Sequence, residues 1–441
     1  MGFRSLQGGA RAAARSAGWC LIVIMALSAT AEAKLLQVGP NGKFQQPCEA
    51  ITAAKSGDVI EIDAAGNYDG DVCAWRTNNL TIRGVGGRAK IDAAGRQVHG
   101  KGIWAIYGEG TVVENMEFSG ARVRDRNGAG IRFDTGSLTV RNCFFHDNEN
   151  GILGGRGKTG EVLIEYSEFA NNGHGDGYSH NIYINHVARF TFRYCYSRDA
   201  RIGHLVKSRA AQNFILYNRL VTGDGGRSSM EIDIPNGGTT YIIGNTIFQS
   251  PSGENDALLM YGMEGPHPDN PGQDLYVVNN TFVNKKRPGR FILVGARMRA
   301  EAVVKNNIFA GPGEVINQPG AMMEGNFTGD PGFAGASAHD FRLKTSSPAI
   351  DMGVDPGTSN GVSLVPNRHY VHPLGSEPRR IEGKVDAGAY ELGAGSQPSA
   401  TSVNPGPPVP EPITAALECH PINDWFRPEC RSQFHSPQAA R

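Results

Sequence analysis

Short runs of apolar residues recur along most of the chain, and glycine, asparagine or aspartate separates one run from the next. In the clearest repeat, an apolar residue stands two positions before an Asn or Tyr and, in most copies, another stands three positions after it. The central residues of the eight copies are Asn115, Asn142, Tyr166, Tyr194, Tyr217, Asn245, Asn280 and Asn306. Successive centres lie between 23 residues apart, from Tyr194 to Tyr217, and 35 residues apart, from Asn245 to Asn280. A period of this length is typical of repeat architectures.

The residues in these runs favour strands. They are mainly Val, Ile, Phe and Tyr, whereas a leucine-rich repeat would need regularly spaced leucines. The 58 glycines of the chain favour tight turns between the strands. We therefore predict an all-β fold, a right-handed parallel β-helix, in which each coil contributes about three strands and stacks about 4.8 Å above the last. Asn at a repeated position predicts a ladder of side-chain amides at one turn.

The first 33 residues have the pattern of a secretory signal peptide. Three arginines precede an apolar run at residues 19–27, and a small-residue cleavage site follows at residues 31–33. The apolar run is too short to span a bilayer, which argues against a membrane anchor. We therefore expect a periplasmic or secreted protein.

Residues 34–78 are predicted to form a cap and a first strand. Phe44, Cys48 and Ile51 fall on one face of a short helix, with a proline near its start and a glycine just after its end. A solenoid needs such a cover because its open edges would otherwise pair with other chains. The remaining predicted segments are the coils at 79–326, a closing segment at 327–393 and a Pro- and Ser-rich flexible tail at 394–441.

Six cysteines remain after the predicted signal peptide. Cys143 and Cys195 occupy the same place in the repeat, with Ser167 at that place in the coil between them. The two thiols should therefore lie two coils apart, too far for a disulfide, and we interpret them as buried thiols. In an oxidising compartment the other four are expected to form two disulfides, Cys48–Cys73 and, in the tail, Cys419–Cys430.

The charge of the chain is balanced, with 43 basic and 43 acidic side chains. This balance gives no support for a nucleic acid as partner. We expect a monomer without a stable membrane anchor. Any binding of a charged polymer must then come from a local patch of charge.

Four motifs after the predicted coils carry a family resemblance. They are DPGF at residues 330–333, DFRL at 340–343, SPAID at 347–351 and DAGAYE at 386–391. Together they closely resemble the closing segment of secreted bacterial right-handed β-helix proteins of the pectate-lyase-like superfamily. The resemblance implies the β-helix fold, and many such proteins act on polysaccharides. A fold does not name a reaction, so the chemistry has to be sought in the coils.

Polar residues of several chemical types are concentrated on three neighbouring coils. If Ile182, Val206 and Ile232 point into the core, alternation leaves their neighbours on the outer face. The predicted outer set is Tyr183, Asn185, Lys207, Arg209, Glu231 and Asp233, with His180, His186 and His204 close by. The outer strand of any solenoid is polar, and Lys207 with Asp233 could be a simple cross-strand ion pair. The concentration of the whole set on neighbouring coils indicates a functional site.

These residue types suit chemistry at C5 of a uronate sugar. A uronate can lose its C5 proton when a cation neutralises its carboxylate and a positioned base takes the proton. Arginine offers a planar fork for the carboxylate, and His, Lys or Tyr can serve as acid or base. Expulsion of the C4 oxygen then gives a lyase, whereas reprotonation from the other face gives an epimerase.

Two stretches, YSHN at residues 178–181 and GHLVKSR at 203–209, resemble motifs of periplasmic alginate C5-epimerases. That resemblance implies His180 as the base and Arg209 as the group that neutralises the carboxylate. A third stretch, Gly-His-Gly at residues 173–175, is similar to a motif of polygalacturonases and implies a glycoside hydrolase as an alternative.

We therefore predict an exported enzyme of acidic polysaccharides, a lyase that acts by β-elimination. The alternatives are a uronate C5-epimerase, a glycoside hydrolase and a non-catalytic polysaccharide-binding or surface solenoid. The predicted catalytic residues are His180, Arg209, Lys207, Tyr183 and His204. The predicted substrate-binding residues are Asn185, His186, Arg132 and Tyr261. The sequence identifies no definite cofactor, but Ca²⁺ bound by the carboxylates of Glu231 and Asp233 stays an open alternative.

Overall fold

The computed structural model describes residues 33–155 and 157–394. The predicted signal peptide up to residue 32, the tail from residue 395 and the predicted disulfide Cys419–Cys430 lie outside these residues. Within the described ranges, no helix is long and apolar enough to cross a membrane.

Three parallel sheets run along the coils, and a typical coil adds one strand to each sheet in turn. The strands of sheet I are Leu35–Val38, Val59–Asp63, Thr81–Val85, Thr111–Glu114, Leu138–Arg141, Glu161–Glu165, Arg189–Arg193, Gln212–Leu216, Thr239–Ile243, Leu275–Val278, Val303–Lys305 and Met322–Glu324. The strands of sheet II are Ala89–Asp92, Met116–Ser119, Phe144–His146, Glu168–Ala170, Tyr196–Arg198, Arg219–Thr222, Thr246–Gln249, Thr281–Asn284, Ile308–Ala310 and Phe327–Thr328. The strands of sheet III are Cys73–Trp75, Gly102–Ile106, Ala129–Phe133, Asn150–Gly154, Ile182–Ile184, His204–Ser208, Met230–Ile234, Ala257–Tyr261, Arg290–Val294 and Glu314–Ile316. The predicted all-β parallel solenoid is therefore confirmed.

A residue in the left-handed conformation makes the turn from sheet I to sheet II. The residues with positive φ at this turn include Gly86, Asn115, Asn142, Tyr166, Tyr194, Tyr217, Gly244, Asn279, Asn306 and Gly325. Gly and Asn adopt this conformation readily. At the tyrosines, ring stacking accompanies it, because the ring of Tyr194 lies 4.9 Å from that of Tyr166 and 5.7 Å from that of Tyr217.

On the later coils, from Asn218 onward, the residue after the left-handed turn points inward and builds the predicted amide ladder. Its members are Asn218, Asn245, Asn280, Asn307 and Asn326. Each of the first four side-chain amides donates to the carbonyl oxygen of the next member over 2.9–3.0 Å, and that oxygen also accepts the backbone N–H of the donor residue. Buried polar groups are thus paired from coil to coil. In two coils the ladder member is not the centre of the sequence repeat but the residue after it. Asn218 follows Tyr217, and Asn307 follows Asn306.

On earlier coils the same inward column holds Cys143, Ser167 and Cys195. The backbone N–H of Cys143 donates to the Ser167 hydroxyl, and the N–H of Ser167 donates to the Cys195 sulfur. Both thiols are free and buried, as predicted. Burial raises the pKa of Cys143 to about 12, so this thiol stays protonated at neutral pH.

A short helix, Pro47–Ala53, lies at the start of the solenoid with Ala50 and Ile51 buried in the core. Its sequence position matches the predicted cap. The predicted disulfide Cys48–Cys73 is present and joins this helix to the first strand of sheet III. Sheet pairing already begins at Leu35, so the segment before residue 79 holds three strands instead of one.

The closing segment forms antiparallel pairs beside the coils. Its elements are the strands Phe333–Gly335, Asp340–Leu343, Thr358–Ser359, Val362–Ser363, Arg368–Val371 and Gly375–Pro378 and the 3-10 helix Ala336–Ala338. Phe341 packs with Val221 and Phe248 of sheet II. Leu364 packs with the stacked tyrosines at the turn from sheet I. This segment therefore covers part of sheets I and II, while the polar residues of interest lie on sheet III.

Candidate active site

A column of outward-facing side chains crosses sheet III. The parallel register joins, in order, Arg132, Leu153, Tyr183, Lys207 and Asp233. Ile184 and Ser208, which follow Tyr183 and Lys207, are fully buried, so these two strands alternate as predicted. Neighbours in such a column are about 4.8 Å apart, close enough for one sugar to touch several of them.

Lys207, Asp233 and His204 form a charged group with little exposure to solvent. The Lys207 ammonium lies 3.1 Å from a carboxylate oxygen of Asp233, and Nε2 of His204 lies 3.4 Å from the same oxygen. Lys207 is 13 % exposed and Asp233 is 7 % exposed, so the pair is screened less than a surface ion pair. Burial lowers the pKa of His204 to about 4, even though Asp233 opposes this shift. His204 is therefore neutral at neutral pH.

His180 stacks on His204 with ring centroids 4.5 Å apart. Its Nδ1 accepts a hydrogen bond from the backbone N–H of His204 over 3.0 Å. Burial, and then repulsion from Lys207, Arg209 and a protonated His204, hold the pKa of His180 well below its usual value. The neutral ring consequently carries its proton on Nε2, and its lone pair on Nδ1 is already used. With its lone pair engaged, His180 cannot accept the C5 proton as the predicted base. It can instead donate a hydrogen bond from Nε2.

Arg209 is held by three neighbours on the outer side of the coils. Its Nε donates to the hydroxyl of Tyr183 over 2.8 Å, and it also donates to the side-chain oxygen of Asn236. Its two terminal nitrogens donate to the two carboxylate oxygens of Glu264 over 2.6 and 2.8 Å. Burial disfavours the charge of Arg209, but the hydrogen bonds to Glu264 and Tyr183 raise its pKa above the usual value. The hydrogen bonds from Arg209 lower the pKa of Glu264.

Glu264 was not among the predicted residues. It lies in the segment between the strands Ala257–Tyr261 and Leu275–Val278, which we call the 262–274 loop. The sequence held an indirect signal, because the longest step of the repeat, from Asn245 to Asn280, includes this loop. An insertion of that kind marks a place where a solenoid departs from its regular coil.

The position of Glu231 was predicted incorrectly. The register of the strands His204–Ser208 and Met230–Ile234 places Glu231 beside Leu205. Leu205 and Val206 are consecutive, yet both are fully buried in the core, so alternation breaks where the chain bends into sheet III. Glu231 follows Leu205 inward and is fully buried.

The inward position of Glu231 changes its chemistry. One carboxylate oxygen accepts a hydrogen bond from the Thr222 hydroxyl over 2.7 Å, and the other has no partner among the described residues. Burial raises the pKa of Glu231 to about 8. Asp233 instead faces outward toward Lys207. Glu231 and Asp233 therefore do not form the pair of accessible oxygen ligands that Ca²⁺ binding would require.

Tyr261 is also unsuited to its predicted role in substrate binding. It pairs with Ile234 and Val294 in an inward column, is 1 % exposed, and donates its hydroxyl to the carbonyl of Gly238 over 2.8 Å. Met260, the residue before Tyr261, lies in the outward column instead. Arg132 does face outward, where it forms an ion pair with Asp134 over 3.4 Å.

Asn185 and His186 follow the strand Ile182–Ile184 and are half-buried. The ring of His186 lies 4.2 Å from the ring of His267 in the 262–274 loop. Burial, and then the charge of His267, lower the pKa of His186. Asp269 of the same loop lies 3.6 Å from His267.

Comparison with known proteins agrees with this architecture. Residues 59–247 match the family model of the right-handed β-helix region. The chain is a right-handed parallel β-helix. The matched range includes the coils that carry Tyr183, Lys207 and Asp233. No curated protein sequence matches this β-helix significantly.

Two solved structures are similar to this β-helix. The crystal structure of pectate lyase Pel9A has a TM-score of 0.56 and 14 % sequence identity, over 81 % of this chain and 96 % of that one. The crystal structure of alginate lyase from Paenibacillus sp. str. FPU-7 has a TM-score of 0.41 and 12 % identity, over 67 % of this chain and 99 % of that one. The first similarity concerns the fold alone, and the second is too distant to support a structural argument.

Proposed function

We propose that this β-helix is an exported lyase of acidic polysaccharides and that its active site lies on sheet III around Tyr183 and Arg209. The observation that carries the proposal is the bidentate contact between Arg209 and a carboxylate, that of Glu264, beside the Tyr183 hydroxyl. The structural similarity to pectate lyase Pel9A supports a polysaccharide as the substrate class.

Glu264 stands in for the carboxylate of a uronate sugar. Its side chain is 51 % exposed, whereas Arg209 is 15 % exposed. The exposed Glu264 can leave while the half-buried guanidinium stays in place, held by Tyr183 and Asn236. A substrate carboxylate in the position of Glu264 would then receive the same two charge-assisted hydrogen bonds. This contact neutralises the carboxylate, which is what makes the C5 proton acidic enough to remove.

The Tyr183 oxygen is the proton acceptor in this proposal. Its hydroxyl has first lost its proton to solvent, and the phenolate accepts the hydrogen bond from Nε of Arg209. The phenolate takes the C5 proton of the sugar and becomes a phenol again, while the electron pair of the C–H bond moves toward the carboxylate held by Arg209. That pair then forms the C4–C5 double bond as the C4–O bond breaks. The Lys207 ammonium, which lies 5.4 Å from the centre of the Tyr183 ring, protonates the departing oxygen. His180 contributes its Nε2–H as a hydrogen-bond donor.

The direct test is the ultraviolet absorbance of the conjugated double bond. Purified protein is incubated with polygalacturonate, polymannuronate and polyguluronate, each with Ca²⁺ and with a chelator. We expect absorbance to rise with one of these polymers, and Tyr183→Phe and Arg209→Ala to abolish the rise. The control is Arg83→Ala, because Arg83 is an arginine of sheet I, outside the site, that also pairs with a glutamate, Glu61.

A flat trace with every polymer would contradict the lyase. Proton exchange at C5 in heavy water without absorbance would then identify an epimerase. Polymer binding without exchange or cleavage would identify a binding solenoid. Equal activity of Tyr183→Phe and the wild type would contradict the role of Tyr183 but not the reaction.

A further inference from the structure

A second cluster of functional groups lies next to Arg209 and takes no part in the proposed elimination. It joins His186, just after the strand Ile182–Ile184, to His267 and Asp269 of the 262–274 loop. One ligand atom from each of these residues lies within 4.8 Å of the others. All three side chains are half-buried.

The geometry of this cluster suits a metal ion. Ligand atoms about 2.0–2.2 Å from a tetrahedral zinc ion are roughly 3.3–3.5 Å from each other. Nδ1 of His267 lies 3.6 Å from a carboxylate oxygen of Asp269, but it accepts the backbone N–H of Asp269 over 3.2 Å, which leaves Nε2 as the atom of His267 that is available to a metal. Nδ1 of His186 is buried and has no hydrogen-bond partner within the described ranges. A small movement of these side chains would bring all three ligand atoms to coordination distance.

The backbone around the cluster is held by contacts that need no metal. Asn270, which is 2 % exposed, donates to the carbonyl oxygens of Arg209 and Gly237 over 3.2 and 3.4 Å. Asn236 donates to the carbonyl oxygen of Gly265 over 3.3 Å. These bonds fix the 262–274 loop on both sides of His267. The cluster is therefore pre-organised by the fold.

We propose that His186, His267 and Asp269 form a binding site for a divalent transition metal, of which zinc fits best. Two imidazoles and one carboxylate are typical zinc ligands, and three protein ligands leave a fourth position for water. Ca²⁺ takes six to eight oxygen ligands and is disfavoured by two nitrogens. The ion would fasten the loop that carries Glu264 to the coil that carries Tyr183. The site stands on its own residues and does not depend on the lyase reaction.

Lys158 supplies a sharp test of this proposal. Its ammonium lies 2.8 Å from a carboxylate oxygen of Asp269, and its side chain is 69 % exposed. The positive charge of Lys158 repels a dication bound to Asp269, and this repulsion weakens binding unless Lys158 moves away. Removal of the charge in Lys158→Ala should therefore strengthen metal binding severalfold. A cluster with a purely structural role would not respond in this way.

The experiment measures zinc binding to the full chain, purified without a histidine tag and freed of metal by a chelator. Titration calorimetry with ZnCl₂ should show one saturable site, and CaCl₂ should show no binding that competes with it. Cobalt added in place of zinc should give the visible absorption of a four-coordinate ion. His267→Ala and Asp269→Asn should weaken zinc binding at least about tenfold. The control variant is His99→Ala, which removes an exposed histidine from a distant coil.

Two results would overturn the site. One is the absence of saturable zinc binding to the wild type. The other is zinc binding that His267→Ala and Asp269→Asn leave unchanged, since the ion would then sit elsewhere. Thermal unfolding of the metal-free variants confirms that they are folded. Because no step measures turnover, failure of this proposal and failure of the lyase proposal are separate outcomes.

Discussion

The backbone N–H of His204 donates a hydrogen bond to Nδ1 of His180 over 3.0 Å, at a place where both rings are buried. His180→Ala would leave that N–H buried without a partner, at a cost of about 1–3 kcal/mol in the free energy of unfolding. His180→Gln retains an oxygen acceptor and should lose less. Urea denaturation of both variants measures the difference. If both substitutions were equally destabilising, the hydrogen bond would not be the source of the loss.

His204 should make the protein sensitive to acid. Its pKa is about 4 in the folded protein and about 6.5 in an unfolded chain, so below pH 6.5 only the unfolded state takes up the proton. The folded state therefore loses stability as the pH falls from 6.5 to 4, by up to about 3 kcal/mol in total. His204→Gln should flatten the plot of unfolding free energy against pH in this window. His99→Gln, at an exposed histidine, is the control. Parallel plots for His204→Gln and the wild type would contradict this prediction.

Glu231 should act in the opposite direction. Its pKa is raised from about 4.5 to about 8 in the folded protein, so the folded state retains a proton that the unfolded state releases. The contribution to stability is complete below pH 4.5 and is lost progressively up to pH 8. We compare the unfolding free energy of Glu231→Gln with that of the wild type at each pH. This difference should favour the variant by a few kcal/mol more at pH 8 than at pH 4. Guanidinium denaturation at the two pH values measures this change. If the difference in unfolding free energy were the same at both pH values, Glu231 would not be the group that retains a proton in the folded state.

Glu264 should compete with substrate for Arg209. If its carboxylate occupies the position of a uronate carboxylate, Glu264→Ala should lower KM several-fold and leave kcat nearly unchanged. Steady-state kinetics on the polymer that is cleaved measure both constants. Glu254→Ala is the matched control, because Glu254 also pairs with an arginine, Arg227, on a neighbouring coil. An increase in KM for Glu264→Ala would mean that Glu264 supports Arg209 instead of competing for it.

The sequence predicted the fold and part of the outer face because both depend on local periodicity. The alternation of inward and outward residues correctly oriented Tyr183, Lys207 and Asp233. It failed at Glu231, because a strict period of two ends where the chain bends between sheets. It also could not orient Tyr261, because no strand was predicted around that residue.

The residues that complete the site are too far apart in the sequence for its periodicity to predict that they meet. Glu264 is 55 residues from Arg209, and no repeat position marks it. His267 and Asp269 meet His186 because the 262–274 loop, which follows the strand Ala257–Tyr261, reaches back to the coil of the strand Ile182–Ile184. The tautomer of His180 depends on one backbone N–H of the next coil, which a motif cannot reveal.

The asparagine ladder has a consequence for how such a protein can change during evolution. Each amide from Asn218 to Asn307 donates one hydrogen bond to the ladder member of the next coil, so these four members make equivalent bonds between coils. A whole coil can be duplicated or lost there without leaving a buried amide unpaired, whereas a partial coil cannot. Gene rearrangements in units of one coil would therefore be tolerated. Each would lengthen or shorten the face of sheet III by about 4.8 Å, and with it the stretch of polymer that the protein can touch.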